Sequence, residues 1–233
     1  MTKQKHKTHL EQRRGTEFNQ DPKEEGITKM EIGQIIETVL RRRENKKFAQ
    51  YTLSELRRAK RREDTKSLFD ALEREEITDS KIYCTGIRIA FETDDVQLAE
   101  KRYREANVRN QSDPLIHGTM IEEHIKRRNK TRALEILAIA RDLGEDSSAH
   151  YSLILNSKKG ENFKEAKRFF EEIPLDKRDK IIYAQAIRLF VRFHKIEEAG
   201  KILTQAIMRN MADESIQRFL EDEAAKAGKT ISF

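Results

Sequence analysis

Ten of the residues between 41 and 62 are lysine or arginine, and only Glu44 and Glu55 are acidic. This segment therefore carries a net charge of +8, whereas the whole 233-residue chain carries +6. Cations at this density bind phosphate oxygens through charge-assisted hydrogen bonds, with an affinity that falls as salt rises. The phosphate-binding candidates in this segment are Arg41, Arg42, Arg43, Lys46, Lys47, Arg57, Arg58, Lys60, Arg61 and Arg62.

A second, shorter basic run contributes Lys126, Arg127 and Arg128 as further phosphate-binding candidates at a predicted turn between helices. Because 38% of all residues are charged, both runs are also compatible with ordinary solvated surface. If they do bind a partner, it is ribosomal RNA, another component of a ribonucleoprotein, or an acidic protein. The sequence leaves these alternatives open.

The residues that usually perform catalysis do not form a recognisable site. None of the six histidines has the spacing of a metal-binding helix, and the single cysteine, Cys84, has no organised histidine beside it in the sequence. The chain also lacks a glycine-rich phosphate loop and a nucleophile elbow. We therefore predict a non-catalytic protein with no cofactor, no metal and no small-molecule substrate.

The composition favours an all-helical chain that works inside the cell. Nine Gly and three Pro are too few for a fold rich in β-turns, and one Cys excludes a disulfide framework and suits a reducing compartment. No apolar stretch is long enough to cross a membrane, and the N-terminal segment has no apolar signal core. The choice between an organelle such as the mitochondrion and the nucleus or cytoplasm stays open.

An internal repeat of about 33 residues organises the chain from residue 47 onward. Three residue types recur in one register, which is unlikely to arise by chance. An aromatic ring opens each unit, an alanine lies in its second half, and an aspartate precedes the next unit. The markers are Tyr51, Tyr83, His117, Tyr151 and Tyr183; Ala99, Ala133, Ala166 and Ala199; and Asp79, Asp113, Asp146, Asp179 and Asp213.

Each unit reads as two antiparallel helices, which we name helix A and helix B. In the unit 79–112 we predict helix A over 81–92 and helix B over 96–108. The aspartate before helix A suits an N-cap, and Thr93 or Asp94 is the predicted cap of helix B. The repeated alanine allows the two helices to approach closely. Five such hairpins stacked side by side predict an all-α, right-handed superhelix with the A helices on its concave surface.

The boundaries follow from the same patterns. Residues 1–27 are expected to form a disordered basic tail, because they have almost no apolar periodicity. Thr28, with Glu31 three residues later, has the spacing of a capping box and opens the predicted repeat domain, 28–227. That domain ends in a polar cap, and a short tail, 228–233, follows.

The pattern resembles the pentatricopeptide-repeat family, a relative of the tetratricopeptide repeats, over roughly 47–213. The family's aspartate is followed by a tyrosine four residues later, which is the offset from Asp79 to Tyr83 and from Asp179 to Tyr183. The Trp, Leu-Gly and Pro positions of tetratricopeptide repeats do not recur. Only Gly160 supplies the turn glycine of the pentatricopeptide family, and the usual proline before the aspartate is missing.

The resemblance implies single-stranded RNA as ligand, with one base for each repeat. In the family, the residue after the tyrosine and the last residue of the unit read the base edge. A hydroxyl paired with aspartate, as in Thr52 with Asp79 and Ser152 with Asp179, favours purines in the family, chiefly guanine. Carried over, the base-facing candidates are Thr52 with Asp79, Cys84 with Asp113, Gly118 with Ser147, Ser152 with Asp179, and Ala184 with Asp213.

The resemblance further implies that the second residue of helix A packs on the face of a base. Leu115 and Ile181 fit that role. The sequence thus predicts an RNA-binding protein of RNA processing, RNA stability or a ribonucleoprotein, which binds mainly through phosphate contacts. The alternative is a scaffold of tetratricopeptide type whose concave surface grips a helix or peptide of a partner protein.

Overall fold

The computed structural model describes residues 30–42, 46–109 and 113–230, and in these ranges all regular secondary structure is helical. None of the described helices is long and apolar enough to cross a lipid bilayer. The chain divides into two compact units, with the boundary between Thr78 and Asp79. The predicted tail 1–27, Thr28 and Arg43 lie outside the described residues.

The described residues of unit 1 form three helices, α1 (Ile32–Arg41), α2 (Lys46–Arg58) and α3 (Arg62–Arg74). Helix α3 packs against both others, and Leu53 and Leu68 are fully buried. Two cations hold the first and last described residues of this unit. Lys46 donates from Nζ to the carbonyl of Thr78 at 3.0 Å, and Arg61 donates from Nη2 to the carbonyl of Met30 at 3.0 Å.

In unit 2 the described residues form four helical hairpins and a terminal helix. With the α2–α3 hairpin of unit 1 it supplies the five predicted helix pairs. Short 3₁₀ turns follow α8 and α9. The helices are α4 (Ser80–Glu92), α5 (Val96–Val108), α6 (Pro114–Lys126), α7 (Lys130–Asp142), α8 (Ser148–Ser157), α9 (Phe163–Glu172), α10 (Lys180–Arg192), α11 (Ile196–Met208) and α12 (Glu214–Lys226).

The two helices of each hairpin play different roles in unit 2. The A helices α4, α6, α8, α10 and α12 pack one against the next, while α5, α7, α9 and α11 each pack on their own A helix. The repeated aromatic rings and alanines are buried at these contacts, as the repeat register predicts. The fully buried markers are Tyr83, His117, Tyr151 and Tyr183, and Ala99, Ala133, Ala166 and Ala199.

The repeated aspartates cap the A helices, which confirms their predicted structural role. Asp79, Asp179 and Asp213 each accept a hydrogen bond from the backbone N–H three residues later, and Asp113 accepts two. In the α8 repeat Ser147 and His150 form a capping box instead. These bonds satisfy N–H groups that have no partner inside the helix.

The predicted cap of α5 was wrong, because Asp95 rather than Thr93 or Asp94 accepts from the N–H of Leu98 at 2.9 Å. Asp94 has a left-handed backbone, with φ of 61°, and ends α4. Its N–H donates to Phe91, and the N–H of Asp95 donates to Ala90. This pair of bonds is a Schellman motif.

The same motif ends eight of the described helices, and only two of the left-handed positions are glycine. They are Lys60, Glu76, Asp94, Arg128, Gly144, His194, Asn210 and Gly228. A left-handed backbone costs an L-residue with a Cβ about 1 to 2 kcal/mol. At the six positions that are not glycine, the chain therefore forms this turn at a cost in stability.

His194→Gly should therefore stabilise the protein by about 0.5 to 1 kcal/mol, since relief of the left-handed strain exceeds the extra chain entropy of glycine. Urea unfolding followed by circular dichroism measures this change. The matched control is Arg104→Gly, at an exposed position inside α5, where glycine relieves no strain. It should lower the free energy of unfolding by about 1 kcal/mol. A destabilised His194→Gly variant would contradict the conclusion that the left-handed backbone at His194 is strained.

Ion pairs join neighbouring B helices. Arg132 of α7 donates from Nε and Nη2 to the Glu100 carboxylate of α5 at 2.8 and 2.7 Å, and His124 Nε2 lies 3.1 Å from the same group. Burial alone would raise the pKa of Glu100, but the hydrogen bonds from Arg132 and His124 lower it to about 2. Folding therefore favours the ionised carboxylate.

The stability that Glu100 contributes is present above its ordinary pKa near 4.5 and is lost as the pH falls toward 2. Glu100→Gln should cost about 1 to 2 kcal/mol at pH 7, with allowance for partial solvent screening, and much less at pH 3. Urea unfolding at both pH values tests this. Glu135→Gln, at the exposed end of the same arginine, should have little effect at either pH. If Glu100→Gln lowered the free energy of unfolding equally at both pH values, the proposed link between stability and ionisation of Glu100 would be wrong.

Candidate nucleic-acid interface

Each A helix of unit 2 leaves one stripe open to solvent, because its other sides pack against neighbouring A helices and its own B helix. The stripe recurs at the second, fifth or sixth, ninth and thirteenth helical positions. We call these exposed and half-exposed residues the A face. They are Lys81, Thr85, Arg88 and Glu92 on α4; Leu115, Gly118, Glu122 and Lys126 on α6; Ala149, Ser152, Leu153 and Asn156 on α8; and Ile181, Ala184, Gln185, Arg188 and Arg192 on α10.

Apolar side chains and cations lie side by side on this surface. Leu115 and Ile181, at the predicted base-packing position, are 44% and 59% exposed. On α10, Arg188 and Arg192 follow Ile181 and have no carboxylate partner among the described residues. The guanidinium of Arg188 lies over the Phe219 ring at 6.0 Å. This end of the A face combines apolar contact with uncompensated positive charge.

The cations of the A face on α4 and α6 are compensated. Arg88 pairs with Glu122 at 3.6 Å, and Lys126 reaches Glu122 and Glu123 at 2.9 and 2.8 Å. Burial opposes ionisation of Glu122, but Lys126 and Arg88 lower the pKa of this carboxyl overall. The local charge is therefore close to neutral.

The second predicted phosphate cluster is only partly available. Lys126 is held by the two glutamates, and Arg127 lies over the Phe91 ring at 4.8 Å and pairs with Asp94 at 3.5 Å. Arg128 occupies the left-handed position of the turn and is exposed. As phosphate ligands, these three residues stay a prediction.

The B helices show the opposite pattern, because most of their cations form ion pairs. Lys130 contacts Glu161 at 2.6 Å, and Lys167 contacts Glu198 at 3.0 Å. Arg132 contacts Glu100, as described above. The uncompensated cations at the α10 end of the A face and the mostly paired cations of the B helices give unit 2 two chemically different surfaces.

Two of the predicted base-facing side chains are buried. Thr52 is 1% exposed and donates from its hydroxyl to the Phe48 carbonyl at 2.9 Å. Cys84 is 3% exposed, and burial raises the pKa of its thiol to about 11. The predicted partners Asp79, Asp113, Asp179 and Asp213 each use Oδ1 for the helix cap.

At Gly118 another residue fills the space of a side chain. A Cβ at Gly118 would lie 3.3 Å from Cδ2 and Nε2 of His150. That ring is held on both sides, since Nδ1 accepts from the Ser147 N–H at 3.3 Å and Nε2 donates to the Pro114 carbonyl at 2.6 Å. Burial lowers the pKa of His150, which keeps the ring neutral as both bonds require.

Ser152 and Ala184 are half-exposed on the A face. Ser152 accepts a hydrogen bond from Nε2 of Gln185 at 2.7 Å. Ala184 offers only a methyl group. Of the five base-facing residues predicted on the A helices, Ser152 is the one that has a hydrogen-bonding side chain and is not buried.

The predicted basic cluster of unit 1 concentrates at the turn between α2 and α3. Arg61 pairs with Asp64 at 2.5 Å, and Arg58 pairs with Glu55 at 2.6 Å. Arg41 pairs with Glu37, Arg42 lies over the Phe48 ring, and Lys46 bonds the Thr78 carbonyl. The candidates that are exposed without an ion pair in the described ranges are Lys47, Lys60 and Arg62.

Arg188 and Arg192 are not among the phosphate-binding residues predicted from the sequence, because they do not belong to a run of adjacent cations. The two arginines are four residues apart, and Ile181 lies seven residues before Arg188. This spacing places all three on one helical stripe. Within the described ranges no group of His, Cys, Asp or Glu is arranged to hold a metal ion.

Comparisons with known proteins identify the fold. No protein-family model matches the chain, and no curated protein matches it. The crystal structure of the pentatricopeptide repeat protein PPR10 from maize is similar, with a TM-score of 0.64, 14% identity, and coverage of 89% of this chain and 30% of that chain. PPR10 in complex with an 18-nt psaJ RNA element gives a TM-score of 0.46 at 17% identity, with coverage of 83% and 34%.

The likeness to the maize structure confirms the predicted all-α helical-repeat solenoid of pentatricopeptide type. This chain spans about a third of the length of those PPR10 chains. At 14% identity the comparison shows the fold alone. The ligand class has to be argued from the side chains of this chain.

Gly118→Ala tests the contact between Gly118 and His150. Alanine has a higher helix propensity than glycine, but its Cβ would force the held imidazole to shift by a few tenths of an ångström. We therefore expect the free energy of unfolding to fall by about 1 kcal/mol. Urea unfolding measures it. In a His150→Ala background the same change should become stabilising by about 0.5 to 1 kcal/mol. Stabilisation in both backgrounds would contradict the contact.

Proposed function

We propose that this chain, which has the fold of a pentatricopeptide-repeat solenoid, is a non-catalytic protein that binds single-stranded RNA. Its role would lie in RNA processing, RNA stability or a ribonucleoprotein. The observation that carries the proposal is the asymmetry of unit 2. The α10 end of the A face has exposed cations without carboxylates beside exposed apolar side chains, whereas the B-helix cations are mostly paired.

The chemistry of this surface suits a nucleic acid strand. Arg188 and Arg192 are one helical turn apart, about 6 Å along α10, and guanidinium groups bind phosphate oxygens in a bidentate manner. Ile181, two helical turns before Arg188 and exposed, offers an apolar surface to the face of a base. Single-stranded RNA presents both phosphates and unstacked bases, and a folded duplex does not present the latter.

Unit 1 offers a second phosphate-binding surface in this proposal. Lys47, Lys60 and Arg62 are exposed cations. Lys60 lies in the short turn between α2 and α3, and Arg62 is the first residue of α3. PPR10, whose fold this chain shares, has been crystallised with an 18-nt psaJ RNA element, and RNA as ligand class is consistent with that complex.

The test is the salt dependence of binding by the full chain. A fluorescently labelled, unstructured 20-nucleotide RNA should bind at 50 mM salt and weaken by 200 mM salt. Each phosphate contact to a single strand contributes about 0.7 to the slope of log K against log salt. Arg188→Gln with Arg192→Gln should therefore lower that slope by about 1.4, and Lys47→Gln with Lys60→Gln and Arg62→Gln by about 2.

The matched control removes two exposed arginines from B helices, Arg104→Gln on α5 and Arg168→Gln on α9. Its slope should equal that of the unchanged protein. An equal loss in this control would show binding to net charge alone and would overturn the assignment to the A face. No RNA binding at 50 mM salt would overturn the proposed function, and a protein partner retained after nuclease treatment would then favour the scaffold alternative.

A further inference from the structure

Four successive B helices end in an exposed apolar side chain at the same place in the repeat. Two of these residues end α5 and α11, one directly follows α7, and one opens the 3₁₀ turn after α9. They are 35, 32 and 33 residues apart, and their exposed fractions in chain order are 83%, 55%, 54% and 81%. We call this row the B-exit edge: Val108, Leu143, Leu175 and Met208.

Bonds between neighbouring repeats place these side chains along one edge of unit 2. Lys177, in the exit of α9, donates to the carbonyl of Asp146, in the exit of α7, at 2.9 Å. Arg209, next to Met208, donates from Nη2 to the carbonyl of Leu175 at 3.3 Å. Packed helices lie about 8 to 10 Å apart, so a row across four of them extends over about 30 Å.

The exit of a B helix does not require an apolar residue. In unit 1 the last residue of α3 is Arg74, 34 positions before Val108, the last residue of α5. Single exposed apolar residues are ordinary on a protein surface, but a row that keeps the repeat register is typical of an interaction surface.

Unpaired carboxylates lie beside the central part of this edge. Asp142 and Asp176 are exposed, each is next to a leucine of the row, and neither has an ion pair among the described residues. The cations of the same exits already donate to a hydroxyl or to backbone carbonyls. They are Arg141, Lys177, Arg178 and Arg209. The edge therefore offers carboxylates to the cations of a partner and few unused donors to its anions.

This charge pattern favours a cationic partner over three other occupants. RNA and an anionic lipid surface would bring negative charge against Asp142 and Asp176. A second copy of the chain would bring the same two carboxylates to the centre of the row. Like charges that face each other across an interface weaken binding and select against such partners.

An α-helix matches the spacing of the row. Seven residues of a helix advance about 10.5 Å and return a side chain to nearly the same face. That advance is close to the distance between neighbouring helices of the stack. A helix of about 20 residues spans about 30 Å, the length of the edge.

We propose that the B-exit edge binds an amphipathic helix of a partner protein. The apolar residues of that helix recur about every seven positions and contact the row, and its Lys or Arg residues pair with Asp142 and Asp176. Arg109, exposed beside Val108, confines this basic stretch to the part of the edge from α7 to α11. The inference goes beyond the proposed RNA binding, because the edge and the A face share no residue.

The experiment uses the full chain, treated with nuclease so that bound RNA cannot recruit a basic peptide. The probes are two fluorescently labelled helical peptides of about 22 residues, with leucines in a heptad pattern on one face. One peptide has lysines on both flanks of the leucines, and the other has glutamates there. Fluorescence anisotropy should show that the basic peptide binds at least about tenfold more tightly than the acidic one.

Two double variants test the apolar row and the carboxylates separately. Leu143→Ser with Leu175→Ser should weaken binding of the basic peptide by about tenfold or more, because two apolar contacts are lost. Asp142→Lys with Asp176→Lys should reverse the preference, so that the acidic peptide binds more tightly. A misfolded variant cannot show this gain.

The matched control removes two exposed apolar side chains of the A face, Leu115→Ser with Ile181→Ser. Its affinity for the basic peptide should stay within about twofold, because these sites are distant from the edge. An equal loss in this control would show binding to any exposed apolar residue and would overturn the proposal. Equal affinity for the two peptides would also overturn it, and so would no binding of the basic peptide at about 100 μM.

Two further measurements distinguish the other occupants. Light scattering detects a dimer, and sedimentation with phosphatidylglycerol vesicles detects lipid binding. If Leu143→Ser with Leu175→Ser abolished either one, the edge would belong to a second copy or to a lipid surface, and the partner helix would be wrong. None of these measurements includes RNA, so a failure of the proposed RNA binding is detected independently.

Discussion

The structure of unit 2 depends on bonds that each repeat makes to the carbonyl groups of the repeat before it. His150 donates to Pro114, Lys177 to Asp146, and Arg209 to Leu175, each from 31 to 36 residues further along the chain. Single hairpins cannot bury both faces, so stacking supplies their core, and these donors hold that stack in register. Several cations therefore have structural partners and do not contribute to a ligand-binding surface.

Because many cations have structural partners, the net charge does not show which surface is positively charged. A net charge of +6 says little about where a polyanion binds. The run from Lys126 to Arg128 stands out in the sequence, yet two of its three members contact carboxylates or a ring. Arg188 and Arg192 do not stand out, and they remain without carboxylate partners in the described structure because α10 has no acidic residue on its open stripe.

Much of the architecture follows from the repeat register, because burial imposes the same residue type at the same place in every hairpin. The predicted bounds of α4 differ by one residue at its start, and those of α5 agree with the structure. The left-handed turns could not be predicted, because Asp94 and His194 have no intrinsic preference strong enough to mark them. Their conformation is imposed by the closing bonds of the Schellman motif.

The candidate site was harder to predict, because its properties arise from residues about 33 positions apart. Nothing local in the sequence indicates that His150 fills the space at Gly118, or that Gln185 bonds to Ser152. Tertiary packing alone decides which reading positions face solvent.

Contacts between neighbouring repeats occupy the predicted reading position at Gly118 and use part of the side chain at Ser152. At Gly118 the contact belongs to the stack, since the His150 ring there also bonds both its own helix cap and the preceding repeat. At Ser152 the inter-repeat bond leaves a hydroxyl hydrogen unused, so that one contact serves the stack and still offers chemistry to a ligand. The inter-repeat contacts that hold the stack together therefore also decide how much hydrogen-bonding capacity each A helix presents to solvent.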